Sequence, residues 1–310
     1  MATRSKGTGR AGAETLVEVG GRQLRLTNLD KVLYPATGFT KGQVVDYYTR
    51  VASALLPHLG DRPLTMVRLP DGVEGERFFE KRCPGHRPPW VETVPLDAGS
   101  DIQACSIQDV PGLVWTANLA ALELHTPQAR ASDPWHPTAM VFDLDPGAPA
   151  DIVDCARVAL DVRELLDQLG LHVVAKTSGS KGIHLSVGLR PSVDAEATKA
   201  FALAVGRILE SRDKKHVTVT MARDQRNGKV FVDWSQNDRH KTTVCAYSLR
   251  ATPEPSVSTP VTWDEVGTAA ESGDGDALQF DPATVLARVT EHNDLYAPSL
   301  AQDQELPELS

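Results

Sequence analysis

Cysteine is scarce and unpatterned in this chain. Cys83, Cys105, Cys155 and Cys245 stand far apart, with no Cys-X-X-Cys among them. That excludes a zinc-ribbon pattern and indicates no disulfide framework, and Cys83-Pro-Gly-His86 is at most half a metal site. Long apolar runs are missing too, none reaching the ~18 residues of a membrane span. Met1 to Ala13 lacks the apolar core of a signal peptide and reads as a flexible, basic, glycine-rich leader, so a cytoplasmic protein is expected. There is no Walker loop: Gly179-Ser180-Lys181-Gly182 has the wrong spacing and precedes a strand pattern instead of a helix. No internal repeat is visible. What remains, 310 residues with 41% hydrophobic and 24% charged side chains, is the composition of a soluble globular chain.

The net charge of −9 argues against a polyanionic partner until it is divided along the chain. Residues 251–310 hold twelve acids and one base, whereas 211–250 hold nine Lys/Arg against four acids and 1–62 hold nine against five. Positive charge is therefore concentrated in two segments, and the C-terminal end is acidic.

The chain's most informative stretch is Val141-Phe142-Asp143-Leu144-Asp145-Pro146-Gly147. An apolar run delivers two carboxylates spaced i, i+2, which project from one face of an extended strand. Asp-X-Asp before Pro-Gly is also a turn signature. Like charges held this close raise one another's pKa unless a cation sits between them. Mg²⁺ or Mn²⁺ suits them, because a hard divalent ion takes one or two carboxylates plus substrate phosphates. A third acid, Asp233, ends the apolar run Val230-Phe231-Val232 and completes a metal platform on one sheet.

Around these acids the pattern predicts a hairpin over 15–26, a short helix from Thr27 or Asn28 to Pro35, and a helix capped by Thr40 with Val44, Val45, Tyr48, Val51, Ala52, Leu55 and Leu56 inward. Lys31 and Lys41 flank one loop as a phosphate clamp, and surface lysines being common leaves a purely structural reading open. Strands are expected at 64–69 and 77–80, the second with Phe78 and Phe79 on opposite faces, one for the core and one for base stacking. A helix over 112–122 leads into a strand ending at His125-Thr126. A helix from Ile152 closes at Gly170, a strand enters Thr177-Ser178-Gly179-Ser180-Lys181-Gly182, and Ile183 to Val187 returns. The loop between offers hydroxyls, permissive glycine backbone and one lysine, the ingredients of a phosphate nest. Further helices are expected over 194–210 and, beyond residue 250, only over 282–289. Three strand-end acids with this loop, several Arg/Lys and exposed aromatics suit nucleotidyl transfer. In that chemistry two ions about 3.5–4 Å apart activate a 3′-hydroxyl and hold the leaving pyrophosphate.

Five motifs now carry a resemblance. Leu26 to Gly38, Phe78-Phe79-Glu80-Lys81, Val141 to Gly147, Thr177 to His184, and Val230-Phe231-Val232-Asp233-Trp234-Ser235-Gln236-Asn237 resemble, in the same order, the polymerase domain of bacterial DNA ligase D, a member of the archaeo-eukaryotic primase superfamily. The resemblance runs from about Leu24 to about Leu295. It implies an α+β primase-polymerase fold, with central mixed or antiparallel sheets flanked by helices, over residues 14–296, between the 1–13 leader and an acidic flexible tail at 297–310. It implies that Asp143, Asp145 and Asp233 hold two Mn²⁺ or Mg²⁺ ions, Asp233 assisting the 3′-hydroxyl. By the same resemblance His125, Ser178, Lys181, Arg226, Gln236 and Arg250 surround an incoming NTP or dNTP. Lys31 and Lys41 then hold a 5′-phosphate, and Phe78 and Phe79 pack on bases.

The activity so implied is template-directed addition of nucleotides, ribonucleotides preferred, to 3′-ends at gaps, overhangs or 5′-phosphorylated breaks. Non-homologous end joining beside Ku and an ATP-dependent DNA ligase acting in trans is the implied setting, in a nucleoid-associated protein. Short-gap filling in excision repair and a non-catalytic end-synapsis module are the alternatives. The chain departs from the pattern at Met66-Val67-Arg68, where Val67 replaces a commonly basic position. It also carries no ligase or nuclease segment, which suggests a stand-alone polymerase.

Overall fold

A computed structural model describes residues 14–307, so the expected leader lies outside the described residues. The expected hairpin forms between Glu14–Val19 and Arg22–Thr27. The next segment is not the predicted short helix. Val32–Tyr34 instead pairs antiparallel with Phe39–Thr40. Only six residues separate Asn28 from Pro35, too few to offset the cost of helix nucleation. Extended backbone also lets Leu33 and Tyr34 bury completely, with the Tyr34 hydroxyl donating to the Arg250 carbonyl at 2.8 Å.

Helix α1 (Lys41–Leu59) starts where its sequence says it should. Thr40 accepts from the Gln43 amide and the Gln43 side chain returns to the Thr40 amide, a complete capping box. Its Val44, Tyr48, Val51 and Leu55 face is fully buried against α2 (Val110–Asn118) and α6 (Pro282–His292). The other helices are α3 (Ile152–Gln168), α4 (Ala195–Arg212) and α5 (Trp263–Ser272). The sequence reading missed α5, although Thr262 and Glu265 give it a capping box, because prolines and serines around it resemble a loop. No helix among the described residues is long and apolar enough to cross a membrane.

Two sheets form the centre. Their strands in chain order are β1 (Thr65–Arg68), β2 (Phe78–Glu80), β3 (Ala121–Thr126), β4 (Ala139–Pro146), β5 (Val174–Thr177), β6 (Ile183–Gly188), β7 (Val217–Thr218), β8 (Val230–Asp233), β9 (Thr243–Val244) and β10 (Pro260–Val261). The four-stranded sheet runs β9-β3-β1-β2 and is antiparallel. The six-stranded sheet runs β7-β8-β4-β6-β5-β10, mixed because β7 pairs with β8 in parallel. With short strands at both edges, the long strand β4 lies in the interior. Its Phe142 and Leu144 are fully buried, and α3 packs on it, the Cys155 thiol reaching the Leu144 carbonyl at 3.4 Å. Strand alternation then sends Asp143 and Asp145 to the opposite face.

Three expectations change. Cys83 and Cys105 form a disulfide, their Cα atoms 4.7 Å apart, where no pairing was indicated. The loop after β2 folds back on the strand Gln103–Ser106, with the Cys83 amide on the Gln103 carbonyl, a tertiary proximity that spacing cannot reveal. Phe78 and Phe79 are both exposed, 43% and 66%, because β2 is a three-residue edge strand with no core for either face. Residues 297–307, read as a flexible tail, turn at Ala297–Leu300, bury Ser299 and place Gln304 beside Leu189.

Gly182 marks how closely the phosphate-nest loop sits on β4. Any Cβ there would collide with the Leu144 carbonyl oxygen. Gly182→Ala is therefore expected to lose about 1–3 kcal/mol of stability, read as a lower urea midpoint, while Gly85→Ala, in open space, leaves the midpoint unchanged.

Candidate active site

The register of the six-stranded sheet sets the acids. Across the antiparallel ladders, Asp143 of β4 is opposite Asp233 of β8 on one side and His184 of β6 on the other. Asp145 follows two residues on, exposed at the mouth. Gln236, in the 3₁₀ turn Trp234–Asn237 after β8, donates to Asp233 at 3.0 Å and to Asp143 at 3.3 Å. Ser235 holds the other oxygen of Asp233 through its amide and hydroxyl. Asn237 stitches that turn to the Val141 backbone, accepting from its amide at 2.8 Å and donating to its carbonyl at 2.7 Å. The Trp-Ser-Gln-Asn run is thus the clamp that fixes β8 against β4.

Burial would raise the pKa of Asp143, but His184, at 3.2 Å, together with Lys176 and Arg250, holds it below the usual carboxylate range. Asp145 makes no ion pair among the described residues. Desolvation first, then Asp143 and Asp233, push it up to about 7, and Arg226 and Arg250 lower it only in part. Behind His184 lies a wholly buried pair that sequence reasoning missed. Lys176 Nζ is 3.2 Å from His184 Nδ1 and donates to Ser258 Oγ at 2.7 Å. Burial lowers Lys176 to about 7 and lowers His184 too. With Lys176 donating to Nδ1, the His184 proton sits on Nε2, facing Asp143.

Asp143 and Asp145 open on a cleft of about 230 Å³, lined also by His125, Ser178, Lys181, Gln236, Thr242 and Arg250, while Asp233 is outside its lining. Ser178 is buried, and its hydroxyl oxygen accepts from the amides of Ser180 and Gly182, shaping the nest loop. Gly179 adopts φ +68° with Val257 backbone 2.6 Å from where a Cβ would stand, so only glycine fits. Arg250 donates to the Ser178 carbonyl and, at 3.2 Å, to Glu123. Glu123, also missed, accepts from the Ala251 amide at 3.0 Å and lies 2.9 Å from His125 Nε2. The signal was present: Glu123 and His125 are i, i+2 on β3 and share a face.

The remaining sequence candidates lie outside the cleft lining. Arg226 stacks on Phe231 at 3.5 Å and gives its donors to the Thr220 and Met221 carbonyls. Lys31 and Lys41 do come together, the Lys41 amide bonding the Lys31 carbonyl at 2.8 Å. Lys31 pairs with Asp71 at 2.7 Å, while Lys41 is only 5% exposed and donates to Thr27. Burial, then Lys31 and Arg68, lower Lys41 to about 8. Arg68 lies beside the clamp on the strand where Val67 is apolar, its charge matched by Glu80 at 2.6 Å.

Among the described residues no group of three or more His, Cys, Asp or Glu side chains is placed to hold a metal ion as it stands. The expected convergence of three acids is partial, because Gln236 and Ser235 occupy carboxylate oxygens that an ion would need. The donor set nevertheless fits a hard divalent ion. All three acids offer oxygens, and the raised Asp145 registers negative charge that Arg226 and Arg250 offset only in part.

Strand-borne carboxylates on one wall of a cleft, with a hydroxyl-rich loop and cationic groups on the other, define a nucleotidyltransferase of the primase-polymerase class. Residues 40–296 match the family described as LigD, primase-polymerase domain, and the chain belongs to that family. It is 43% identical over 279 residues to the multifunctional non-homologous end joining protein LigD of Mycolicibacterium smegmatis, covering 89% of this chain and 36% of that protein. It is 31% identical over 245 residues to the bifunctional LigD of Bacillus subtilis, covering 79% of this chain and 39% of that one. The chain therefore spans little more than a third of the length of these relatives. Its fold superimposes on the polymerase domain of Mycobacterium tuberculosis ligase D in complex with DNA with a TM-score of 0.80 and 40% identity, covering 87% of this chain and 96% of that one.

Glu123 yields a pH prediction. Burial would raise it, but His125, Arg250 and the Ala251 amide lower it from 4.5 to about 2. A depressed carboxylate contributes stability above its unfolded pKa and loses it as pH falls through the folded value. Wild type should thus lose on the order of 2–3 kcal/mol from this group between about pH 5 and pH 2. Urea midpoints of Glu123→Gln should show a correspondingly shallower acid slope, and parallel slopes contradict the assignment.

Proposed function

We propose that this chain is a template-directed polymerase that adds nucleotides, ribonucleotides preferentially, to 3′-ends at gaps or breaks during non-homologous end joining. Ku and an ATP-dependent DNA ligase are its proposed partners. The observation that carries the reading is the pairing of Asp143 with Asp233 in adjacent strands beside a cleft lined by Ser178, Lys181 and Arg250. Family membership, relatives described as end-joining proteins and a structural neighbour in complex with DNA support the setting.

Asp143, Asp145 and Asp233 would hold Mg²⁺ or Mn²⁺, which when bound supplies charge neutralisation for the triphosphate and lowers the pKa of a 3′-hydroxyl. Asp233, fixed by Ser235, accepts the hydroxyl proton. Ser178, Lys181 and Arg250 offer the phosphates a hydroxyl, an ammonium and a guanidinium at the cleft wall. Gln236 and His125 line the part of the cleft left for sugar and base. His184 holds Asp143 ionised and oriented. Lys31, Lys41 and Arg68 form a separate cationic group suited to a 5′-phosphate across a gap, and Phe78 and Phe79 expose two rings to bases.

The test is extension of a gapped duplex with labelled GTP and Mn²⁺, comparing wild type with Asp143→Ala/Asp145→Ala. Extension by wild type and none by the variant is expected. If wild type extends no better than the variant yet still binds ends, the chain is an end-bridging module. Lys31→Ala should narrow the preference for 5′-phosphorylated over 5′-hydroxyl gaps by roughly tenfold and leave simple primer extension unchanged. Equal wild-type binding to both gap types removes that role.

A further inference from the structure

A second groove, of about 110 Å³, adjoins the reaction cleft, and Thr242 lines both. Lys81, Arg239, His240 and Lys241 line it, with Asp97 as the one acid. Asp97 is already engaged by His240 at 2.9 Å, and nearby Asp238 by Lys199 at 3.1 Å. Among the described residues, Lys81, Arg239 and Lys241 make no ion pair, so the groove carries uncompensated positive charge. Thr65, only 2% exposed, also lines it, and its hydroxyl has no hydrogen-bond partner.

At the outer end, the hairpin of Ala129–Arg130 and Asp133–Pro137 holds up Trp135, 53% exposed. The Arg239 guanidinium lies 4.7 Å from the Trp135 ring centre. Arg239 therefore belongs to both features, stacking on the indole and lining the groove. Alternating cations and a stacked aromatic, continuous with a cleft that handles nucleotides, match the chemistry of a single nucleic-acid strand. An acidic peptide would use the charges and leave the indole without a role.

We propose that this groove and the Trp135–Arg239 pair form a second nucleic-acid subsite. A single strand passing Thr242 lays a phosphate between Lys81 and Lys241 and stacks a base on Trp135. The subsite rests on the polymerase reading only for what enters the neighbouring cleft.

The experiment measures anisotropy of a fluorescein-labelled oligodeoxythymidine of about 20 nucleotides, alongside extension of a gapped duplex. Trp135→Ala should weaken oligonucleotide binding roughly tenfold or more, and Trp135→Phe should retain most of it. Lys241→Ala should lower the slope of log affinity against log salt by about 0.7, one phosphate's worth on a single strand. Gapped-duplex extension should survive Trp135→Ala. Unchanged oligonucleotide affinity in both alanine variants overturns the subsite. So does an equal loss of binding to polyglutamate, which would make the groove a general anion patch. Wild-type failure to extend the gapped duplex, with oligonucleotide effects intact, would count against the polymerase reading alone.

Discussion

Repulsion among three carboxylates on neighbouring strands is the constraint around which this molecule is arranged. Left to themselves, Asp143, Asp145 and Asp233 would push β4 and β8 apart. The chain answers with Gln236 bridging Asp143 and Asp233, Ser235 capping the other oxygen of Asp233, and Asn237 tying the following turn to the Val141 backbone. His184, backed by buried Lys176, compensates Asp143 from the other side. Asp145 is compensated only in part, by Arg226 and Arg250, and is pushed up to about 7. The result is a platform held in place mechanically yet short of positive charge, which is the condition for taking up a cation together with an anionic substrate.

The two sheets divide the work. The six-stranded sheet carries the acids and the nest loop, and the four-stranded sheet carries Glu123 and His125. Arg250 joins them, bonding the Ser178 carbonyl on one side and Glu123 on the other. A single buried carboxylate thereby orients both a histidine and an arginine of the cleft. The cations argued to meet nucleic acid fall into three places: the cleft wall, the Lys31–Lys41–Arg68 group, and the groove beneath Trp135. Separate cationic sites of this kind suit a polyanion that must be gripped at several points, and they draw on the two basic segments of an otherwise acidic chain.

Much of this was legible because local signals and tertiary demands agreed. Thr40 and Gln43 announce α1, the i, i+2 acids announce a polar face on an apolar strand, and Gly179 to Gly182 announce a tight loop. Failures occurred where long-range packing decided. Val32–Tyr34 is a strand because burying Leu33 and Tyr34 outweighs a helix cap. The Cys83–Cys105 pair depends on a loop folding back across 22 residues. Both phenylalanines are exposed because β2 is an edge. Lys41, read as half of a phosphate clamp, is only 5% exposed and bonds the Thr27 backbone. Lys176 gave no sequence sign of its role, since nothing but the β5–β6 register brings it to His184.

The most direct test of the central claim is Mn²⁺ binding followed by electron paramagnetic resonance, with a non-hydrolysable nucleoside triphosphate present, in wild type and in Asp233→Asn. If the three acids act as one platform, wild type takes up Mn²⁺ with the nucleotide and the variant, which keeps size and shape, binds it at least about tenfold more weakly. Equal Mn²⁺ uptake by the two proteins would show that Asp233 stands apart from Asp143 and Asp145 in function, and the account would fail.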